Sequence, residues 1–229
     1  MVLQNNDDIN TFFNKISLMP IHIQEFVVNI PETLLHFVID STKIFDDSHN
    51  AIHAVLVSYN ACQIMKSLSD NYDEKFLLYT SLCHDICDHK YPNSISKNKL
   101  YEFLSEHMND QMANDAMEII DNISYSKEEK NRKKYCVHEL QNEQLNDYMI
   151  AISDADKLEA LGKTGIERCT EFTKSRGGKV PEDVIKHCHD KLMRLLPEYF
   201  IKSKIGRRMA IPLHNQIVEY VKNHEININ

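Results

Sequence analysis

Histidine and aspartate recur at short spacings inside segments that otherwise read as helix interior. His49 and His53 fall in SHNAIHAV, His84, Asp85, Asp88 and His89 in LLYTSLCHDICDHKY, and Asp154 and Asp156 in SDADKLEALG. Burying an ionised carboxylate without a partner is costly, so Asp85 must reach solvent, a cation or a metal ion. Neighbours on a helix diverge by roughly 100°, and one small object touches both His84 and Asp85 only over the edge between them. A metal ion suits that geometry, with an exposed polar stripe as the plainer alternative. His49 and His53 stand one turn apart at a helix start, where a polar cap would also account for them. Asp154 and Asp156 read either as an exposed stripe or, given Ile150, Ile152, Leu158 and Leu161 around Asp156, as a carboxylate committed to a metal.

The elements that must carry these residues are helical. Ile52, Val55, Leu56, Tyr59, Cys62 and Met65 step by three or four, as do Val184, Ile185, Cys188, Leu192, Leu195 and Leu196. Pro31-Glu32 and Pro181-Glu182-Asp183 read as first helical turns. The periodicity predicts helices over about 31–44, 50–68, 73–87, 97–123, 147–161, 182–196 and 212–224, with alternating strand patterns scarce. KEEKNRKKY at 127–135 reads as loose from its charge, and KSRGGKVP at 174–181 from its paired glycines. The fold class expected is all-α. At 229 residues the expectation is one sizeable domain.

Composition narrows the function. All five glycines lie after residue 161, so the first two-thirds contain neither a Walker loop nor a dinucleotide fingerprint. A formal net charge of -8 argues against a general nucleic-acid coat or an anionic membrane surface. The opening MVLQNNDDINTFF has no basic, then apolar, signal pattern, and FVVNIPETLLHFVID is interrupted by Asn29, Pro31, Glu32 and His36. A cytoplasmic protein without membrane or nucleic-acid partners is expected. Cysteines 62, 83, 87, 136, 169 and 188 are read as free thiols, with no C-x-x-C pair among them.

The order His, then His-Asp, then Asp on successive helices resembles the HD-domain metal-dependent phosphohydrolases. HNAIH near 49, LCHDICDHK near 83, IIDNISYSK near 119, SDADKLEALGKTGIERC near 153 and VIKHCHDKLMRL near 184 resemble, in order, a bacterial-type branch of small single-domain nucleotide phosphate or pyrophosphate hydrolases. The resemblance runs from about residue 45 to 210, leaves about the first 25 residues without counterpart, and so implies an extension over 1–25 followed by an HD-type helical bundle over 26–229 with additional C-terminal helices. It assigns His53 as the first metal ligand, His84 and Asp85 as the doublet, and Asp156 as the last, since Ala155-Asp156-Lys157-Leu158 fits the family wording better than Asp154. Two positions depart from it: related proteins read His-Asp where this chain has His49-Asn50, and Arg where it has Leu56. Both departures bear on substrate specificity more than on metal binding.

Two imidazoles and two carboxylates form a nitrogen and oxygen site without thiolate, suited to one divalent ion, manganese first, with Mg, Co, Ni, Fe or Zn as alternatives. Asp88, four residues after His84, is the candidate catalytic acid or base, as an acid at that spacing is in several HD hydrolases. Phosphate needs cations, and Lys90, Lys127, Arg168, His187 and Lys191 are the candidates for substrate binding, with Lys157 close by. The partner implied is a small nucleotide or phosphate ester, hydrolysed by a metal-activated water. Three other readings compete: an HD phosphodiesterase acting on cyclic or other phosphodiesters, a nucleotide-binding HD protein without turnover, and a structural zinc site from Cys83, Cys87, His84 and His89.

Overall fold

The computed structural model describes residues 6–46, 49–135, 139–140 and 145–225; Cys136 lies outside them. Every regular element among the described residues is helical, so the all-α class holds. In chain order these are α1 (Asn6–Ser17), α2 (Ile21–Val28), α3 (Glu32–Thr42), α4 (Ala51–Leu68), α5 (Glu74–Leu82), α6 (Lys97–His107), α7 (Asp110–Asn122), α8 (Tyr125–Tyr135), α9 (Asn146–Glu159), α10 (Gly162–Ser175), α11 (Glu182–Asp190) and α12 (Lys204–Glu225). A 3-10 turn at Leu192–Arg194 follows α11. No described helix is long and apolar enough to cross a membrane.

The helix starts follow from local chemistry. Asp73, Ser96 and Asn109 each accept a hydrogen bond from the backbone N–H three residues on, the usual way a short polar side chain satisfies a donor at a helix start. Pro20, Pro31 and Pro181 occupy the position before α2, α3 and α11. Asn109 also explains a correction. The span expected as one helix over 97–123 is two, because Met108 is extended and Asn109 caps a new start.

Two compact units divide the chain, one holding the residues up to Cys62 with Asn71–Ile123, the other Gln63–Asp70 with Ser124 onward. In the first, α1 packs on α3, and α7 on both α5 and α6. Its core includes Leu34, Val38, Leu77, Leu100, Leu104 and Ile119, each less than 1% exposed. In the second, α12 packs on α9, α10 and α11 around Ile152, Val184, Leu195, Ala210 and Ile217.

Two further expectations are corrected here. Residues 127–135 are not loose but belong to α8. The side chain of Glu128 is buried there, taking a hydrogen bond from the Lys157 ammonium at 2.6 Å, and Arg132 lies over the Phe200 ring at 4.3 Å. The last helix begins at Lys204 rather than near 212, and Pro212 lies inside it. Its start is capped from a distance: the Asp154 carboxylate accepts from the backbone N–H of Lys202 at 2.9 Å and of Ser203 at 2.7 Å, and Ser203 Oγ accepts from Gly206 N–H.

Candidate functional site

His53 sits in the first turn of α4, where the Asn50 side chain accepts from the backbone N–H of Ile52 and of His53, at 2.9 and 3.2 Å. Asn50 therefore keeps the capping function an aspartate would serve, with one negative charge fewer. His84 and Asp85 are not on a helix, as expected from the 73–87 span, but just past the end of α5. Cys83 at φ -94°, ψ 3° leaves the helical basin, and the chain continues in tight turns, Ile86 N–H to Cys83 C=O and Asp88 N–H to Asp85 C=O. Bonds of that kind bring residues three apart into line, so the four-residue spacing of His84 and Asp88 does not set them on one helical face.

His84 Nε2 lies 3.3 Å and His53 Nε2 3.7 Å from the same oxygen, Asp85 Oδ2. The two imidazoles are buried, their centroids 5.3 Å apart, and the Asp85 side chain is 24% exposed. His84 Nδ1 stands 2.8 Å from the Ser81 carbonyl. A carbonyl only accepts, so Nδ1 carries a proton there, and Nε2 is the ring nitrogen directed at Asp85. Burial opposes ionisation of Asp85, but His84 and His53 outweigh it and hold the carboxyl well below the usual carboxylate range.

One donor atom from each of His53, His84, Asp85 and Asp156 lies within 4.8 Å of the other three. Donors about 2.1 Å from one octahedral ion are about 3.0 Å apart when adjacent and about 4.2 Å when opposite, a window that contains both measured His–Asp85 spacings. The group can hold a divalent cation, and its donors are nitrogen and oxygen only. Asp154 is turned elsewhere. It is fully buried with its carboxylate spent on the start of α12, and burial raises its pKa despite Lys157 and Ser203. Asp156, by contrast, is the one residue of 151–158 that is not buried.

The structural zinc reading fails on geometry and chemistry. No other such group occurs among the described residues, and the His89 side chain is 96% exposed. Burial pushes the Cys83 thiol far up and the Cys87 thiol to about 11, so both are thiols in the metal-free protein.

The remaining predicted residues are placed as follows. Asp88 accepts from its own Lys90 backbone N–H at 2.9 Å and pairs with the Lys90 ammonium at 3.0 Å; it is not a member of the four-residue group. Lys127 is exposed on α8. Arg168 donates to the Glu159 carbonyl at the end of α9. His187 is exposed on α11, which ends at Asp190, so Lys191 is no longer helical and its ammonium lies 5.1 Å from the centre of the Tyr125 ring. Lys157 is buried against Glu128 and Ser153. Sequence reasoning missed Ser81, whose carbonyl orients His84, and Ser58, whose hydroxyl meets that of Ser81 at 2.7 Å. A serine three residues before the histidine was the available signal.

Neither a protein-family model nor a curated protein sequence matches the chain. Solved structures do. YpgQ from Bacillus subtilis is similar at 23% identity and a TM-score of 0.68, over 86% of this chain and 95% of that one. The same protein in complex with ADP is similar at 21% identity and a TM-score of 0.66, over 86% and 97%. A HD-superfamily hydrolase from Bacillus thuringiensis is similar at 18% identity and a TM-score of 0.62, over 86% and 96%. The fold is thus that of the HD-domain proteins, as the resemblance of the motifs implied.

Proposed function

We propose that the chain is a metal-dependent phosphohydrolase that cleaves a phosphate or pyrophosphate bond in a nucleotide-like substrate. The observation that carries this reading is the convergence of His53, His84, Asp85 and Asp156 on one small volume. These four residues would hold one divalent ion, manganese first. Such an ion would lower the pKa of a water and offset negative charge on the phosphoryl oxygens, the two demands of phosphate ester hydrolysis. The His84 imidazole, its ring set by the Ser81 carbonyl, and the Asp85 carboxylate are nitrogen and oxygen donors of the kind such an ion takes. Asp88 orients the attacking water or protonates the leaving oxygen, Lys90, Lys127, Arg168 and Lys191 supply positive charge for the phosphates, and His187, whose pKa desolvation and Lys191 lower, offers them a neutral hydrogen-bond donor. A nucleotide as substrate is supported by a protein of the same fold that holds ADP.

The test is a panel of nucleoside mono-, di- and triphosphates and cyclic dinucleotides, incubated with metal-stripped protein and Mn, Mg, Co, Ni or Zn. Turnover of a non-cyclic nucleotide that depends on added metal and disappears in His84→Ala is expected. Equal turnover by His84→Ala rejects the site, and activity confined to cyclic dinucleotides replaces this reading with the phosphodiesterase one.

A further inference from the structure

Tyr91 touches both stretches of chain that lead to the histidines of the candidate centre. Its ring stacks on Phe45 with centroids 4.1 Å apart and planes 15° apart, and its hydroxyl lies 2.9 Å from His49 Nδ1. Phe45 and His49 belong to the segment that enters α4, and the His49 ring stands edge-on to that of His53 at 6.0 Å. Asp46 Oδ1 approaches the same His49 nitrogen at 3.5 Å. On its own side, Tyr91 N–H donates to the Asp88 carbonyl, and Asp88 N–H to that of Asp85. A run of backbone hydrogen bonds therefore connects Tyr91 to the doublet, while its side chain reaches the approach to the first ligand.

A second tie lies beyond the ligands. Ser58, further along α4, shares a hydrogen bond with Ser81, which precedes His84. The serine tie is fully buried, whereas Tyr91 and His49 are partly exposed. Two connections between the same two stretches of chain, one on each side of the histidines, fix a spacing that either alone would leave free to pivot.

We infer that Tyr91 and His49 form a positioning pair, which holds the turn bearing His84 and Asp85 against the start of α4 bearing His53 and so sets the donor spacing that a divalent ion meets. The inference rests on the metal-site reading proposed above. Neither residue is assigned a place on the ion. The tyrosine acts through two contacts that can be removed separately: Tyr91→Phe keeps the stack and loses the hydroxyl, and Tyr91→Leu loses both.

The experiment measures the Mn²⁺ dissociation constant of metal-stripped full-length protein by titration calorimetry, beside the melting temperature of the metal-free form. Tyr91→Phe should weaken Mn²⁺ binding about threefold, the worth of one modest hydrogen bond. Tyr91→Leu should weaken it about tenfold, the lower end for partners that orient metal ligands. Phe37→Leu, which removes the stack of Phe37 on Phe103 between α3 and α6, controls for general loss of packing. It should lower the melting temperature and leave Mn²⁺ affinity within about twofold. Unchanged affinity in Tyr91→Leu overturns the inference, as does an equal loss in Phe37→Leu. Wild-type protein that binds Mn²⁺ no better than His84→Ala rejects the centre itself, an outcome distinct from a wild type that binds the ion and a Tyr91→Leu that binds it as well.

Discussion

Asp88 faces two tasks at once, and substitution can separate them. Its carboxylate closes a local turn by accepting from the Lys90 N–H, and it pairs with the Lys90 ammonium. Asparagine can still accept from the N–H but can neither take a proton from water nor give one to a leaving oxygen. If Asp88 moves a proton in the reaction, Asp88→Asn and Asp88→Ala should both lower kcat by about 10²–10⁴-fold and leave Mn²⁺ affinity nearly unchanged. If it only shapes the turn, Asp88→Asn should keep most of the activity that Asp88→Ala loses. Steady-state kinetics of the two variants, beside their metal affinities, decides between these roles.

Among the elements, only Ala160 and Leu161 separate α9, which carries Asp156, from α10. α9 ends at Glu159 and α10 begins at Gly162, whose φ of +72° an L side chain adopts at a cost. A Cβ on Gly165 would stand 2.1 Å from the Ala160 carbonyl oxygen, a backbone atom that cannot swing aside. Gly165→Ala is therefore expected to destabilise the protein by about 3 kcal/mol or more. Gly177→Ala meets nothing within 4 Å and suffers only its φ of +73°, a cost of about 1 kcal/mol. Denaturant unfolding of both variants checks the order, and a smaller loss at Gly165 would refute the packing argument. The same elements show what was legible in the sequence. On α11, Val184, Ile185 and Cys188 are buried as their spacing implied, because a helix laid against one core side needs only a stripe; Leu192 and Leu195 are buried too but lie beyond the end of α11, and Leu196 is only half-buried. In α4 the stripe misled: Ala54, Val57, Ser58, Ala61 and Ile64 are buried besides Val55 and Met65, and Ile52, Leu56, Tyr59 and Cys62 only partly so. α8 and the start of α12 were hidden for another reason. Their polar residues are satisfied by Lys157 and Asp154, far along the chain, and local composition carries no record of such partners. The histidine and aspartate pattern of the candidate centre was legible because each side chain breaks an apolar run, whereas Ser81 and Tyr91 break nothing and passed unseen.

For the molecule as a whole, the candidate centre is a stability problem that an ion would solve. Two buried imidazoles and a carboxylate lie within a few ångströms of one another, a cluster whose lost hydration a bound cation would help to offset. Any ion that binds the folded state alone adds RT ln(1 + [M]/Kd), about 2.7 kcal/mol at a hundredfold excess over Kd, which for a chain of this size is a rise in Tm of about 5–10 °C. Adding Mn²⁺ to metal-stripped protein should produce that rise, and chelation should reverse it. The formal net charge of -8 would by itself gather cations loosely over the surface, an effect that salt screens and that no single residue controls. Scans in high salt separate the two contributions, since a coordinated ion keeps its shift there while a diffuse cloud loses it. His84→Ala should abolish the salt-resistant part of the shift. A salt-resistant shift of equal size in His84→Ala would place the ion away from these four residues.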